Sequence, residues 1–508
     1  MNPEHDRVLR LDETDNVVVA LRDLAPGTPA DGQVRCRQRI PAGHKVAVAA
    51  MDPGDAVVKY GQPIGVATRA VRPGDHVHTH NLALPGKSHR MPLPPTPSTD
   101  TVTAAGLPDT FDGFVRPDGR VGTRNYIGVL ATVNCSASVV RMIADAFGPE
   151  ELAAFPGVDG VVALHYGGGC GMAGSGEGYE SLRRVLAGYL KNPNFYTVLL
   201  VGLGCEVMQV QAVSQALPDR AGALLGTLTI QQCGGVEATV SRACARIREI
   251  LPAADGVRRQ AVPAARLCLG LQCGGSDAWS GVTANPALGA AVDLLVSCGG
   301  TAILGETPEI YGAEHLLAGR AVRPEVAARL MARIRWWEAY TETWGGSMDN
   351  NPSPGNKAGG LTTIWEKSLG AAAKGGRSPL AAVYGYAEQV TQPGLVFMDT
   401  PGYDPVSVTG MLAGGATLVA FTTGCGSVFG AKPAPVLKLA TNTAMYRRMR
   451  RDMDIDCGGI LEGQATVAQM GRRIFNAILE TASGSKTCSE RVGMGDLEMV
   501  PWQLGAVM

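Results

Sequence analysis

The rhythm of apolar and polar positions changes near residue 110. Before it, short runs at 45–48, 56–59 and 64–68 are rich in β-branched residues, and Pro-Gly-Asp and Tyr-Gly-Gln-Pro turns separate them. Runs so short and so closely punctuated predict strands, so 1–85 reads as a small all-β module. The stretch 86–110, which contains MPLPPTPSTD, is proline-rich and without periodicity, as an extended linker is.

Beyond it, strand-like apolar runs at 126–133, 158–165, 198–204, 223–230 and 266–272, and later at 301–305, 394–398 and 416–422, alternate with longer amphipathic stretches. The segments 178–190, 236–251 and 324–339 have helical length and spacing. Strand, loop and helix in this alternation predict an α/β region with largely parallel sheets. A break at 252–264 divides it into two lobes, 111–255 and 256–508.

Composition narrows the class. With 508 residues, 45% hydrophobic and 18% charged, the chain can bury several cores and is not a disordered one. A formal net charge of -1 gives no general attraction to nucleic acid or an anionic membrane. The charged first residues and the lack of any long apolar run point to the cytoplasm. There the 12 cysteines are expected to be core residues, metal ligands or reactive thiols rather than disulfides.

Catalytic groups in α/β sheets gather past the carboxyl ends of strands. Four cysteines stand there: Cys135 after Asn134, Cys170 in a glycine-rich turn after His165, Cys205 before Glu206, and Cys273 before Ser276 and Asp277. Soft thiolates favour iron or an iron–sulfur cluster, although no pair has the close spacing of a structural zinc site. Cations form a second group: Arg116, Arg120 and Arg124 in FVRPDGRVGTRN, and Lys357, Lys367 and Lys374 around PGNKAGG, where Asn356 also lies. Arginine suits a carboxylate, and a desolvated lysine suits acid or base work. Among the acidic residues, Glu306 follows an apolar run and is the strongest candidate, ahead of Glu309, Asp399 and Asp404. His76, His78 and His80 alternate, so a strand would place all three on one face, and His44 lies in a Gly-His-Lys turn.

These stretches together resemble the altronate/galactarate dehydratase family. GHKVAV, VVKYGQPIG and HVHTHN are similar to the SAF-type β-clip module at its front, and FVRPDGRVGTRNYIGVL with VNCSAS to the opening of its catalytic region. LQCGGSDAWSGVTANPALG, PGNKAGGLTTIWEKSLGA, MDTPGYDPVSVTG and SGSKTCSE follow in the family's order. One departure stands out: the family usually has arginine in TTGRG, where this chain has Cys425 in TTGCGS.

The resemblance implies loss of water across C2 and C3 of an aldonate or aldarate, stimulated by Fe2+ or Mn2+. The HVHTHN histidines favour D-altronate, giving 2-dehydro-3-deoxy-D-gluconate; galactarate dehydration and sulfolactate-type carbon–sulfur cleavage are the neighbouring chemistries. The expected site has Cys135, Cys170, Cys205 and Cys273 on iron or an iron–sulfur cluster, with His165 beside them. Lys357 acts as base, Glu306 as acid and Arg124 as carboxylate anchor. His44, His78, His80, Arg120, Asn134, Ser276, Asp277, Asn356 and Lys367 line the substrate. The expected partners are a small hydroxy acid and further copies of the chain, with no nucleic acid or membrane. A non-catalytic protein that binds a sugar acid or metal through the β-module is the reading of another class.

Overall fold

The computed structural model describes residues 7–85, 106–216 and 224–508. Most of the expected linker, 86–105, and the first residue of the 223–230 run lie outside the described residues. The β-module pairs Val8–Leu9, Val17–Ala20, Lys45–Ala47 and His76–Val77 in one antiparallel sheet, and Ala56–Lys59, Gln62–Ala67 and Leu82–Ala83 in another. Its sharpest hairpin turns at Tyr60 and Gly61, both at positive φ (63° and 66°), the two-residue geometry that matches strand twist. Because Tyr60 adopts this conformation at a cost, the turn is fastened: the Asp15 carboxylate accepts both backbone N–H groups, at 3.1 and 2.8 Å. The module's core, with Val17, Val57, Ile64 and Val77, continues into Ala313, Leu369 and Ala372 of the second lobe. The module is therefore docked on the catalytic region by apolar burial as well as by charge.

The first lobe is a parallel sheet in the order Gly160–Leu164, Tyr126–Ala131, Phe195–Gly202, Leu224–Thr229. Side chains of the second of these strands alternate between its faces: Ile127 and Val129 pack under the helices Ala137–Asp145 and Val236–Gly256, while Tyr126 and Leu130 pack against Glu177–Lys191. The predicted break at 252–264 begins later than expected, since the helix runs through Pro252 to Gly256. The strand Gln260–Pro263 then pairs with Thr110–Val115, so the end of the expected linker is sheet and closes the lobe boundary.

The second lobe holds seven parallel strands in the order Leu380–Tyr384, Gly394–Met398, Thr301–Leu304, Cys268–Cys273, Leu418–Thr423, Val436–Ala440, Ile455–Asp456. The helices Ala284–Ser297, Pro324–Thr343 and Val467–Ala482 cover one face. Asp404–Gly414 covers the other and packs on Glu177–Lys191, so the two lobes share a core. The sequence pattern hides Val436–Ala440, because prolines precede it and Lys438 interrupts it, yet this lysine is fully buried in the sheet. In this sheet the chain reverses direction between Cys268–Cys273 and Leu418–Thr423, a position where α/β folds place ligands. No described helix is long and apolar enough to cross a membrane.

Candidate active site

Immediately past the strand Thr301–Leu304, Glu306 takes a left-handed backbone conformation (φ 65°), which costs about 1–3 kcal/mol in a residue other than glycine. Its N–H is held by Thr400 Oγ1 at 2.7 Å. The carboxylate lies beneath the strand ends, where Gln272 Nε2 donates to Oε1 at 2.6 Å and Lys374 Nζ to Oε2 at 2.5 Å. Lys374 also donates to Cys273 Sγ at 2.8 Å, and the thiol lies 3.4 Å from Glu309, which is paired with Lys367 at 2.7 Å. Asp404 accepts the other N–H of Gln272 at 2.9 Å.

Burial dominates the electrostatics here. It pushes Glu306 up to about 8, with Lys374 opposing and Glu309 and Asp404 adding to the rise. Burial also takes Asp404 up to about 6 and the Cys273 thiol well above its ordinary value. Lys374 stays charged, since the surrounding acids outweigh its own burial. A protonated carboxyl beside a fixed cation is an acid ready to give a proton at neutral pH. Cys273, Glu306 and Glu309 lie close enough to hold an ion. Two ammonium groups already occupy those ligand atoms, however, and make the set a poor metal site.

A different triad suits a metal. His44 precedes Lys45–Ala47, whose register sets Val46 opposite His76, and the ring nitrogens of His44, His76 and His78 lie within 4.8 Å of one another. His44 Nδ1 and His76 Nε2 are 3.0 Å apart. The rings do not share a face through strand alternation, because the strand ends at Val77. Asn81 fastens a turn instead, accepting the His78 N–H at 2.9 Å and donating to the His76 carbonyl at 3.0 Å. Burial lowers His76 to about 3 and His78 to about 4, so both are neutral, the form that binds metal. His78 Nδ1 is buried without a hydrogen-bond partner. Three neutral imidazoles with an orphaned nitrogen fit a divalent cation. His80 stands outside the triad, exposed, with its ring 5.2 Å from that of His76.

The loop 273–277 leads from Cys273 to Ala278, whose N–H donates to the Gly359 carbonyl at 2.9 Å, and its four steps span at most ~14 Å. At its far end the buried Asp277 accepts Ser280 Oγ and Thr441 Oγ1, both at 3.0 Å, and Asn442 Nδ2 at 3.2 Å. The Ser276 carbonyl accepts Asn356 Nδ2 at 2.8 Å. These residues shape the loop, and Asp277 in particular is spent on internal contacts. Asn356 and Lys357 lie on the helix Pro354–Ala358, and the Ala358 carbonyl faces His44 Nε2 at 3.2 Å. Gly360, at φ +99°, lets this turn meet the β-module, since a Cβ there would sit 2.4 Å from the Gly43 carbonyl. Lys45 and Lys59 of the module enclose Glu366, at 2.8 and 2.9 Å, with all three side chains buried. Cys425 lies past Leu418–Thr423, its N–H on the Gly275 carbonyl at 2.9 Å. Burial pushes its thiol pKa up, so this position carries no charge.

Several sequence expectations change. Arg124 does not anchor a substrate: its five N–H donors are spent on Glu490 (2.6 and 2.8 Å) and on the Thr123, Thr481 and Ser485 carbonyls. Arg120 pairs with Asp118 and lines a cavity of about 410 Å³ with Cys268, Thr301 and Thr417, at the opposite, amino-terminal end of the second sheet. The four cysteines do not form one set, because Cys273 is buried with Glu306 and Lys374 while Cys135, Cys170 and Cys205 are exposed on the first lobe. His165 and Asn134 lie with those three; Lys367 lies with Glu309. Sequence reasoning missed Gln272, Thr400 and the Lys45–Glu366–Lys59 triad. The available signal for the triad was charged residues inside apolar runs, AVVKY and TTIWEKSLG, where a buried ion pair is the usual reason.

Comparison with known proteins agrees with this architecture. Family models match in chain order: the altronate/galactarate dehydratase SAF domain at 6–85, the second domain of D-galactarate dehydratase/altronate hydrolase at 113–255, and the C-terminal D-galactarate/altronate dehydratase domain at 264–507. The chain is 34% identical over 488 residues to altronate dehydratase of Bacillus subtilis, covering 95% of this chain and 96% of that one. The chain belongs to the altronate/galactarate dehydratase family. Within it, similarity to galactarate dehydratase (L-threo-forming) of Escherichia coli is 36% over 498 residues, covering 96% and 95% of the two chains. The family extends to the beta subunit of (2R)-sulfolactate sulfo-lyase of Chromohalobacter salexigens, 32% identical over 392 residues, 76% of this chain and 95% of that one. Members at these distances act as lyases, and this chain is an enzyme of that class. The relatives do not choose its substrate, because 34% and 36% identity are too close to separate altronate from galactarate.

Proposed function

We propose that this enzyme is a metal-dependent sugar-acid dehydratase that converts D-altronate to 2-dehydro-3-deoxy-D-gluconate and water. The observation that carries the reading is the buried Glu306, held by Gln272 and Lys374 with its pKa pushed up to about 8, together with the His44–His76–His78 triad. His44, His76 and His78 would hold the cation, and Fe2+ or Mn2+ bound there supplies charge that makes the C2 proton more acidic. Lys357, on the helix whose last carbonyl faces His44, removes that proton. Glu306 and Asp404 share Gln272 and form the acid: Asp404 reaches solvent, Glu306 behind it stays protonated, and the pair supplies one proton to the hydroxyl leaving C3.

Cys425 leaves this loop uncharged, without the arginine usual in the family, so one bidentate carboxylate contact is lost. The choice of D-altronate follows the resemblance of HVHTHN to the altronate branch. The test is a screen of the metal-loaded enzyme against D-altronate, other aldonates, galactarate and sulfolactate, measuring 2-keto acid and sulfite. D-altronate is expected to give the highest kcat/KM. Turnover of galactarate alone, or release of sulfite without keto-acid formation from any hexonate, overturns the assignment.

A further inference from the structure

Outside the site above, the first lobe carries three exposed thiols that nothing in the proposed dehydration uses. Cys135, Cys170 and Cys205 follow three neighbouring parallel strands, and the strand registers align their ends: Ala131 pairs with Val201, and Leu130 with Leu164. The three turns are bonded to one another. The Asn134 N–H donates to the Gly168 carbonyl at 2.8 Å, and the Met208 N–H to the Gly169 carbonyl at 3.0 Å. A shared frame therefore holds the thiols on the same end of the sheet.

Free cysteine is ordinarily among the most buried residues. Here, of the four cysteines that are exposed, three stand on this one rim, and all are free. A second observation points to a ligand: His165, just past the edge strand Gly160–Leu164 that leads to Cys170, keeps its Nε2 buried without a hydrogen-bond partner. The spacing selects among ligands. Among the described residues, the groups whose ligand atoms all fall within 4.8 Å are the histidine triad of the β-module and the Cys273–Glu306–Glu309 set of the second lobe, and the three rim thiols are not one. One ion with bonds of about 2.3 Å would draw its thiolates to closer than that. A cluster binds each thiolate through a different iron and keeps the sulfurs further apart.

We propose that Cys135, Cys170 and Cys205 hold a four-iron, four-sulfide cluster with one iron left open, as a site separate from the histidine triad. On binding, each thiol loses its proton and forms one iron–sulfur bond; the fourth iron keeps a water or hydroxy-acid oxygen. The iron and sulfide are supplied from solution, and assembly from preformed ferrous iron, ferric iron and sulfide involves no oxidation or reduction of the protein.

The experiment is anaerobic reconstitution of the full chain with iron and sulfide, followed by counting both and recording visible absorption and electron paramagnetic resonance after reduction. The expected result is about four irons and about four acid-labile sulfides per chain. Cys135→Ser, Cys170→Ser and Cys205→Ser should each lose most of the sulfide and the absorption, while Cys273→Ser keeps both. Alkylation followed by peptide mass spectrometry should show the three thiols labelled before reconstitution and protected after it, which reads the site in the unaltered chain. Iron bound without sulfide, labelling unchanged by reconstitution, or cluster loss only in Cys273→Ser overturns the proposal. Keto-acid formation with no cluster would overturn this inference alone; a cluster with no turnover of any hexonate would overturn the substrate reading alone.

Discussion

At the scale of single residues, environment assigns the chemistry. Glu306 and Asp404 belong to the same residue class as dozens of surface acids, yet burial lifts them to about 8 and about 6. Glu306→Gln preserves the shape and removes the proton, so kcat should fall about 10²–10⁴-fold with little change in KM, read in steady-state assays. In the parent enzyme, activity should fall as pH rises from about 6 to about 8, because a general acid is useful only while protonated, and Glu306→Gln should remove the part of that arm near 8. Cys425→Arg should raise kcat/KM for a carboxylate substrate by about 10–100-fold, the worth of one charged hydrogen-bonded contact. Arg124 shows the reverse case. Its motif suggests substrate binding, but its donors are all internal, so Arg124→Ala should cost about 3–5 kcal/mol in denaturant unfolding by stranding Glu490.

Between elements, the helix Ile364–Ala372 ties the β-module to the catalytic lobe. Glu366 turns to Lys45 and Lys59, while its neighbour Lys367 turns to Glu309. Burial alone would raise the Glu366 pKa, but the two lysines outweigh it and hold the carboxyl below its ordinary value. A carboxyl depressed on folding stabilises fully above its unfolded value near 4.5, and that contribution is lost as pH falls through the lower folded value. Thermal unfolding scans should show this acid-side loss, and Glu366→Gln should remove the pH-dependent part. The same variant should lower stability by about 3–5 kcal/mol, since it leaves two buried ammonium groups without their counter-charge. The strand patterns at 56–59 and 394–398 were legible because their apolar runs are bounded by turns. Val436–Ala440 was not, because burial of Lys438 depends on neighbouring strands that periodicity cannot see.

For the molecule as a whole, two lobes and a module bring together residues more than 200 positions apart. Fe2+ or Mn2+ added to metal-free protein should raise Tm in proportion to the logarithm of its concentration, and His76→Ala should remove that dependence. The sequence by itself determined the order of parts, the parallel α/β class and the family, since these reside in local periodicity and in long motifs read along the chain. It also placed Cys135, Cys170, Cys205 and Cys273 at strand ends, because Cys273 closes its strand and the other three lie within six residues past theirs. Only the tertiary structure decided which strand ends meet. It put Cys273 with Lys374 and the other three cysteines on another sheet, joined His44 to His76 and His78, and turned Arg124 inward. Strand order, register and burial fix those pairings, and all three arise from contacts between segments that lie far apart along the chain.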